Sequence, residues 1–290
     1  VGTTAVTWEA TDGDGLTARC TFTVTVTDAQ APSIGCPPNK TSGNDPGTCS
    51  ATVSYPTPTA SDNCPLPNGQ PTWVSGGTQP VVNGPNSTSL FPKGINTVIW
   101  KVTDAGGNTQ TCSFRVIVND VEAPQINCPA NMTVHTAPNT CASAPVAYGP
   151  VTATDNCMPP NPTVLRIGGL PSGANFPTGV NIVTWRATDA GGRTATCSFK
   201  VTVADAQPPV LTCPDNIVVN PPPGQCGVAV FYNNPMGSDN CGIQNVFLEN
   251  GLASGSTFPA GTSSIVWRAT DLSGTTKTCS FTITVNCANA

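Results

Sequence analysis

Fourteen cysteines are the residues of this 290-residue chain best suited to chemistry. They recur at regular, wide spacings, and no Cys-x-x-Cys pair occurs. With His135 the only histidine, a zinc site would have to be built almost wholly from cysteine. The pattern therefore reads as disulfides formed in an oxidising, extracellular setting. Carboxylates are the second group. Asp28, Asp120 with Glu122, and Asp205 lie in short segments ending in proline, and Asp62, Asp155 and Asp239 open three Asp-Asn-Cys tripeptides. Calcium takes several carboxylate and carbonyl oxygens, so these seven residues are candidate ligands wherever the fold gathers them. Asp104, Asp189 and Asp271 stand at the mouths of glycine-rich turns, where an aspartate caps backbone N–H groups. A nucleophile needs a base beside it. His135 recurs in no other repeat and is expected to be an exposed strand or loop residue, so the sequence offers no catalytic triad. Trp73 has no counterpart among the other four tryptophans; it either packs locally within the longer inserted segment or is the candidate aromatic contact for a glycan or protein. Asn39, Asn86 and Asn131 head Asn-x-Ser/Thr sequons and would accept glycans in a host that glycosylates them.

These residues sit in a repeating frame. The segment TVIWKVTDAGGNTQTCSFRVIVND at 97–120 recurs at 182–205, at 264–286 and, at the start of the chain, at 5–28. Each copy alternates apolar and polar residues with period two on either side of a glycine-rich turn, as expected of a half-buried β-hairpin. The tryptophans Trp8, Trp100, Trp185 and Trp267 fall on the inward face. Their next neighbours outward, Glu9, Lys101, Arg186 and Arg268, are charged. Ahead of each complete hairpin come a Cys-Pro strand, a turn leading to a second cysteine (Cys49, Cys141, Cys226), a tyrosine strand, Asp-Asn-Cys and Phe-Pro-x-Gly. No stretch has helical periodicity, so the chain is all-β. The first complete copy is longest, with its extra residues in 65–90 read as a loop insertion.

The ordered set of Cys-Pro-x-Asn, tyrosine strand, Asp-Asn-Cys, Phe-Pro-x-Gly, Trp-x-x-Thr-Asp and Thr-Cys-Ser-Phe resembles the HYR (hyalin repeat) module over essentially the whole chain. The resemblance implies tandem immunoglobulin-like β-sandwiches in an extended, disulfide-stapled rod, an extracellular location, and a role in adhesion or matrix. The expected divisions are a terminal hairpin of an incomplete repeat at 1–28 and repeats at 29–120, 121–205 and 206–290. In such a sandwich the first and last strands are neighbours, and simpler hyalin-like repeats keep only the cysteines on those two strands. The resemblance thus implies Cys36–Cys112, Cys128–Cys197 and Cys213–Cys279. By elimination the others would be Cys49–Cys64, Cys141–Cys157 and Cys226–Cys241, with first-to-third and second-to-fourth as the rival pattern. Cys20 and Cys287 are then left without a partner in the chain. The expected partner of Cys20 is a first-position cysteine of further repeat ahead of Val1, which would also cover the apolar face of the hairpin. Cys287 would seal the last repeat or reach another chain.

A net charge of −5 with only 11 Lys plus Arg and no basic stripe argues against nucleic acid as a partner. No run approaches the roughly 18–20 apolar residues of a membrane span. The expected function is a non-catalytic structural and adhesive segment of a cell-surface or secreted repeat protein or surface filament. The expected partners are other repeats or subunits of the same protein, a cell-surface protein, or a glycan. The alternative is a carbohydrate- or protein-binding accessory module of a secreted enzyme, for which Trp73 is the aromatic. Calcium is the one cofactor the residues suggest.

Overall fold

The computed structural model describes residues 1–66, 70–83 and 86–287, and all regular structure in them is β. Residues 67–69 and 84–85 of the inserted segment lie outside the described residues. The chain divides into two compact units. One comprises Val1–Gln125, Thr154–Thr163 and Thr188–Thr194, and the other Ile126–Ala153, Val164–Ala187 and Ala195–Ala290.

In the first unit, β1 (Gly2–Thr11) and β2 (Thr17–Val26) form the initial hairpin. The first full repeat contains β3 (Ser33–Gly35), β4 (Lys40–Gly43), β5 (Ser50–Pro56), β6 (Thr59–Ser61), β7 (Thr72–Ser75), β8 (Val81–Asn83), β9 (Asn86–Pro92), β10 (Gly94–Thr103) and β11 (Thr109–Asn119). One sheet has the order β4-β11-β10-β7; the opposing strands pair as β5-β9-β8 and β3-β6. The segment 65–90 is therefore more than a loop, since it contains β7, β8 and the start of β9. β3 pairs antiparallel with β6, whereas β4 pairs parallel with β11, so the opening segment switches from one sheet to the other at Cys36. That switch sets Cys36 beside the closing strand that carries Cys112. The same four-stranded order recurs with Ile217–Val219, Thr276–Val285, Gly261–Asp271 and Ile243–Asn250 in the third repeat.

The alternation read from the sequence fills the core. Trp100 lies opposite Cys112 across the hairpin, and Trp267 opposite Cys279. Three separate apolar clusters form, one per full repeat, around Phe91, Trp100 and Phe114, around Phe176, Val183 and Phe199, and around Phe258, Ile265 and Phe281. Each repeat sets its tyrosine edge-on to the phenylalanine of the Cys-x-Phe strand, at 5.0 Å for Tyr55–Phe114, 4.9 Å for Tyr148–Phe199 and 5.1 Å for Tyr232–Phe281. Such edge-on pairs add to the stabilisation from burial alone. Burial raises the hydroxyl pKa of Tyr55 and of Tyr232. On β1–β2 the same apolar face is uncovered, and Trp8 is 65% exposed.

Candidate functional site at the repeat boundaries

The hairpin turn fixes the first carboxylate. Asp104 accepts the Asn108 N–H on Oδ1 at 2.8 Å, Asp189 accepts that of Arg193 at 2.8 Å, and Asp271 accepts those of Ser273 and Thr275, both at 2.8 Å. This is the capping expected of an aspartate at a tight turn. It occupies one carboxylate oxygen and leaves the second to be accounted for. In Asp104 the second oxygen accepts Asn108 Nδ2 at 2.8 Å. Burial works against the Asp104 charge, but the Asn108 side chain and the backbone N–H groups of Asn108, Gly106 and Gly107 hold its carboxyl below the usual range. In Asp189 and Asp271 the second oxygen is buried and has no partner.

The Asp-Asn-Cys turn and the linker add the other carboxylates. Asp155 and Asp239 cap the N–H of the cysteine two residues on, each at 2.8 Å, while Asp62 caps that of Asn63. Asp28, Asp62 and Asp104 gather in one cluster, and Asp205, Asp239 and Asp271 in another, with one oxygen of each residue within 4.8 Å of the others in its cluster. Asp120 and Asp155 come together with Cys157, whose sulfur is in a disulfide and offers no thiolate. Of the seven sequence candidates, Glu122 is otherwise engaged. Its carboxylate accepts the Gly47 N–H on both oxygens at 3.0 Å and Asn44 Nδ2 at 3.3 Å. Gln207 does the equivalent work later in the chain, accepting the N–H of Asn139 and donating to the Ala137 carbonyl. Asp104 and Asp271 were read from the sequence as turn caps only. Their recurrence beside the other acidic positions was the available signal that they belong to the clusters.

The cysteines correct the expected connectivity. Cys36–Cys112, Cys128–Cys197 and Cys213–Cys279 are bonded within their repeats. The second- and third-position cysteines do not pair as Cys49–Cys64, Cys141–Cys157 and Cys226–Cys241. The bonds are Cys49–Cys157, Cys141–Cys241 and Cys226–Cys287. The second cysteine of one repeat thus bonds the third cysteine of the next, and Cys287, left over by the expected pairing, closes on Cys226 and so seals the last repeat rather than reaching another chain. The unbonded cysteines are Cys20 and Cys64. Hydrogen bonding to Asp28, with burial and the Asp28 charge, pushes the Cys64 thiol up, which lowers its thiolate fraction.

The asparagine of each Asp-Asn-Cys motif reinforces the same junction. Asn156 Nδ2 donates to the Thr48 carbonyl at 2.6 Å, and Asn240 Nδ2 to the Thr140 carbonyl at 2.9 Å. Those threonines immediately precede Cys49 and Cys141. Motif and turn therefore meet at two points, one covalent and one a hydrogen bond. The turn is tight enough to need positive φ, 73° at Gly47 and 59° at Asn139.

The remaining candidates fall away from these junctions. Trp73 lies on β7 opposite Trp100, donates its indole N–H to the Gly76 carbonyl at 3.2 Å, and packs against the core. Its counterpart in the third repeat is Leu248, opposite Trp267, so it is a core-lining strand residue and not an exposed contact. His135 ends the strand Met132–His135 with its side chain exposed. Asn39 and Asn131 accept N–H groups of the closing strands at 2.7 and 2.8 Å, as does Asn216, which heads no sequon. The shared role of these three is to pin the Cys-Pro segment. Asn86 is exposed at the start of β9.

A family model described as "HYR domain" matches residues 27–118, 119–203 and 204–285. Hyalin of Strongylocentrotus purpuratus is 36% identical over 98% of this chain and 23% of its own length. Hyalin of Lytechinus variegatus is 30% identical over 98% of this chain and 52% of its own. A mouse protein with sushi, von Willebrand factor type A, EGF and pentraxin domains is 33% identical over 58% of this chain and 5% of its own. The chain thus spans about half or less of the length of these relatives.

Proposed function

Because the chain belongs to the HYR domain family and carries three of its repeats in tandem, we propose that it is a non-catalytic structural and adhesive segment of a cell-surface or secreted protein. One observation carries this reading: Cys49–Cys157 and Cys141–Cys241 each bond one repeat to the next. A disulfide inside a repeat stabilises only that repeat. A disulfide between repeats makes their boundary as hard to separate as the repeats themselves, which suits a load-bearing array. The density of disulfides matches an extracellular or cell-surface location. No helix among the described residues is long and apolar enough to cross a membrane. The packing of Trp73 against the core of the first repeat weighs against the carbohydrate-binding alternative.

Two measurements test the role. Pulled by its ends in a force spectrometer, the oxidised full chain should release much less length than the reduced chain, because closed loops cannot extend. Indistinguishable traces would count against load bearing. Beads coated with the oxidised chain should cluster with one another or adhere to cells, and failure to do either would remove the adhesive half of the proposal.

A further inference from the structure

We propose that Asp205, Asp239 and Asp271, with the side-chain carbonyl of Asn240, form a calcium site at the boundary of the middle and third repeats. Each carboxylate is held by one oxygen. Asp205 Oδ1 accepts the Gln207 N–H at 3.2 Å and Thr136 Oγ1 at 3.0 Å; Asp239 and Asp271 accept the backbone N–H groups described above. The second oxygens of Asp205 and Asp271 are buried without a partner, and Asp271 is 0% exposed. Asn240 donates its amide to Thr140, which leaves its Oδ1 buried and unpartnered as well. Burying carboxylates without a counter-charge is strongly unfavourable. None of the three ion pairs among the described residues touches this cluster.

The donors are all hard oxygens, supplied by two turns and a linker, and the span of up to 4.8 Å among the three carboxylates fits one coordination sphere, with Asn240 next in sequence to Asp239. Calcium–oxygen distances of about 2.3–2.6 Å put opposite ligands roughly 4.6–5.2 Å apart, whereas the magnesium shell is smaller and less tolerant of irregular geometry. The preceding boundary shows the same need met internally. There Lys93 Nζ lies 3.0 Å from Asp120 Oδ2, with Asp120 5% exposed. Lys93 is the variable residue of Phe-Pro-x-Gly, and the third repeat's boundary has Thr178 in its place. Where the chain supplies an ammonium no ion is needed; where it supplies threonine, a free cation takes that part. In the cluster of Asp28, Asp62 and Asp104 one free oxygen is already taken by Asn108, so it has fewer free ligands.

The test is calorimetric titration of the chelator-treated, oxidised full chain with calcium and, separately, with magnesium. Calcium should bind saturably, at least tenfold more tightly than magnesium, and raise the unfolding temperature. Asp239→Asn should remove one binding equivalent. Thr178→Lys should remove the same equivalent without altering any proposed ligand, and should make the thermal midpoint of this boundary insensitive to calcium. Should Asp239→Asn misfold, Thr178→Lys still decides the question, and Asp205→Asn serves if the lysine variant misfolds. Loss of an equivalent in Asp215→Asn, which lies outside the cluster, would indicate non-specific binding and overturn the assignment. So would no saturable binding by the native chain, equal affinity for magnesium, or unchanged stoichiometry in the variants that fold.

Discussion

Removing the bond between the first and middle repeats has a calculable consequence. Cys49 and Cys157 are 108 residues apart. In the unfolded oxidised chain the Cys36–Cys112 bond provides a shortcut, which leaves an effective closed loop of about 58 residues. The chain-entropy relation assigns such a loop about 4 kcal/mol at 25 °C. The paired variant Cys49→Ser/Cys157→Ser avoids a stray thiol. Cys157 is 4% exposed, so replacing its sulfur by a hydroxyl adds a modest desolvation cost of the same sign. For a domain of this size 1 kcal/mol corresponds to about 4 °C or more, which predicts a fall of roughly 16 °C or more in the thermal transition of the repeats that the bond joins. Differential scanning calorimetry of the full oxidised chain resolves this. The transition of the third repeat, stapled by Cys213–Cys279, serves as the internal reference. A variant whose first two transitions move by less than a few degrees would refute the reasoning, since the bond would then close no loop of that size.

Gly251 has φ of 102°, and a Cβ there would lie 2.7 Å from the Ser264 carbonyl oxygen on the tryptophan strand. Gly251→Ala should therefore destabilise the third repeat by about 1–3 kcal/mol, measured by denaturant unfolding; an unchanged midpoint would contradict the close approach. Asn108→Ala removes the side-chain donor that helps keep the Asp104 carboxyl low. A depressed folded-state pKa gives stability that is present above the unfolded value, near 3.9, and lost as pH falls through the lower folded one. The variant should therefore begin acid unfolding at higher pH than the native chain, by circular dichroism, and coincident acid transitions would contradict this. Phe258→Ala, at a position 0% exposed, should cost about 3–5 kcal/mol in the third repeat alone, and an equal loss in the first repeat's transition would contradict three separate cores.

The hairpins were legible because their information is local. Period-two alternation placed Trp100 and Cys112 on one face, and the Asp-Ala-Gly-Gly turn identified its own cap. The first-to-last cysteine pair was legible once an immunoglobulin-like order was assumed, because strand adjacency follows from that order. The other pairs were misread because elimination within a repeat assumes that each repeat closes its own bonds. Nothing in Asp-Asn-Cys alone reveals that its asparagine and cysteine face a turn of the preceding repeat. Trp73 is half legible for a related reason: local packing was one of its two sequence readings, but the added length around it concealed a strand equivalent to the one bearing Leu248. Asp271 was half read. A local rule accounts for the oxygen that caps the turn, and only tertiary structure shows that the other is buried with no partner.

Whether disulfides cross the repeat boundaries is read directly by mass spectrometry of the full oxidised chain, digested without reduction and with free thiols blocked. The digest should contain linked peptides joining Cys49 to Cys157 and Cys141 to Cys241, with the blocking label on Cys64. Peptides joining Cys49 to Cys64 and Cys141 to Cys157 would contradict bonds across the boundaries.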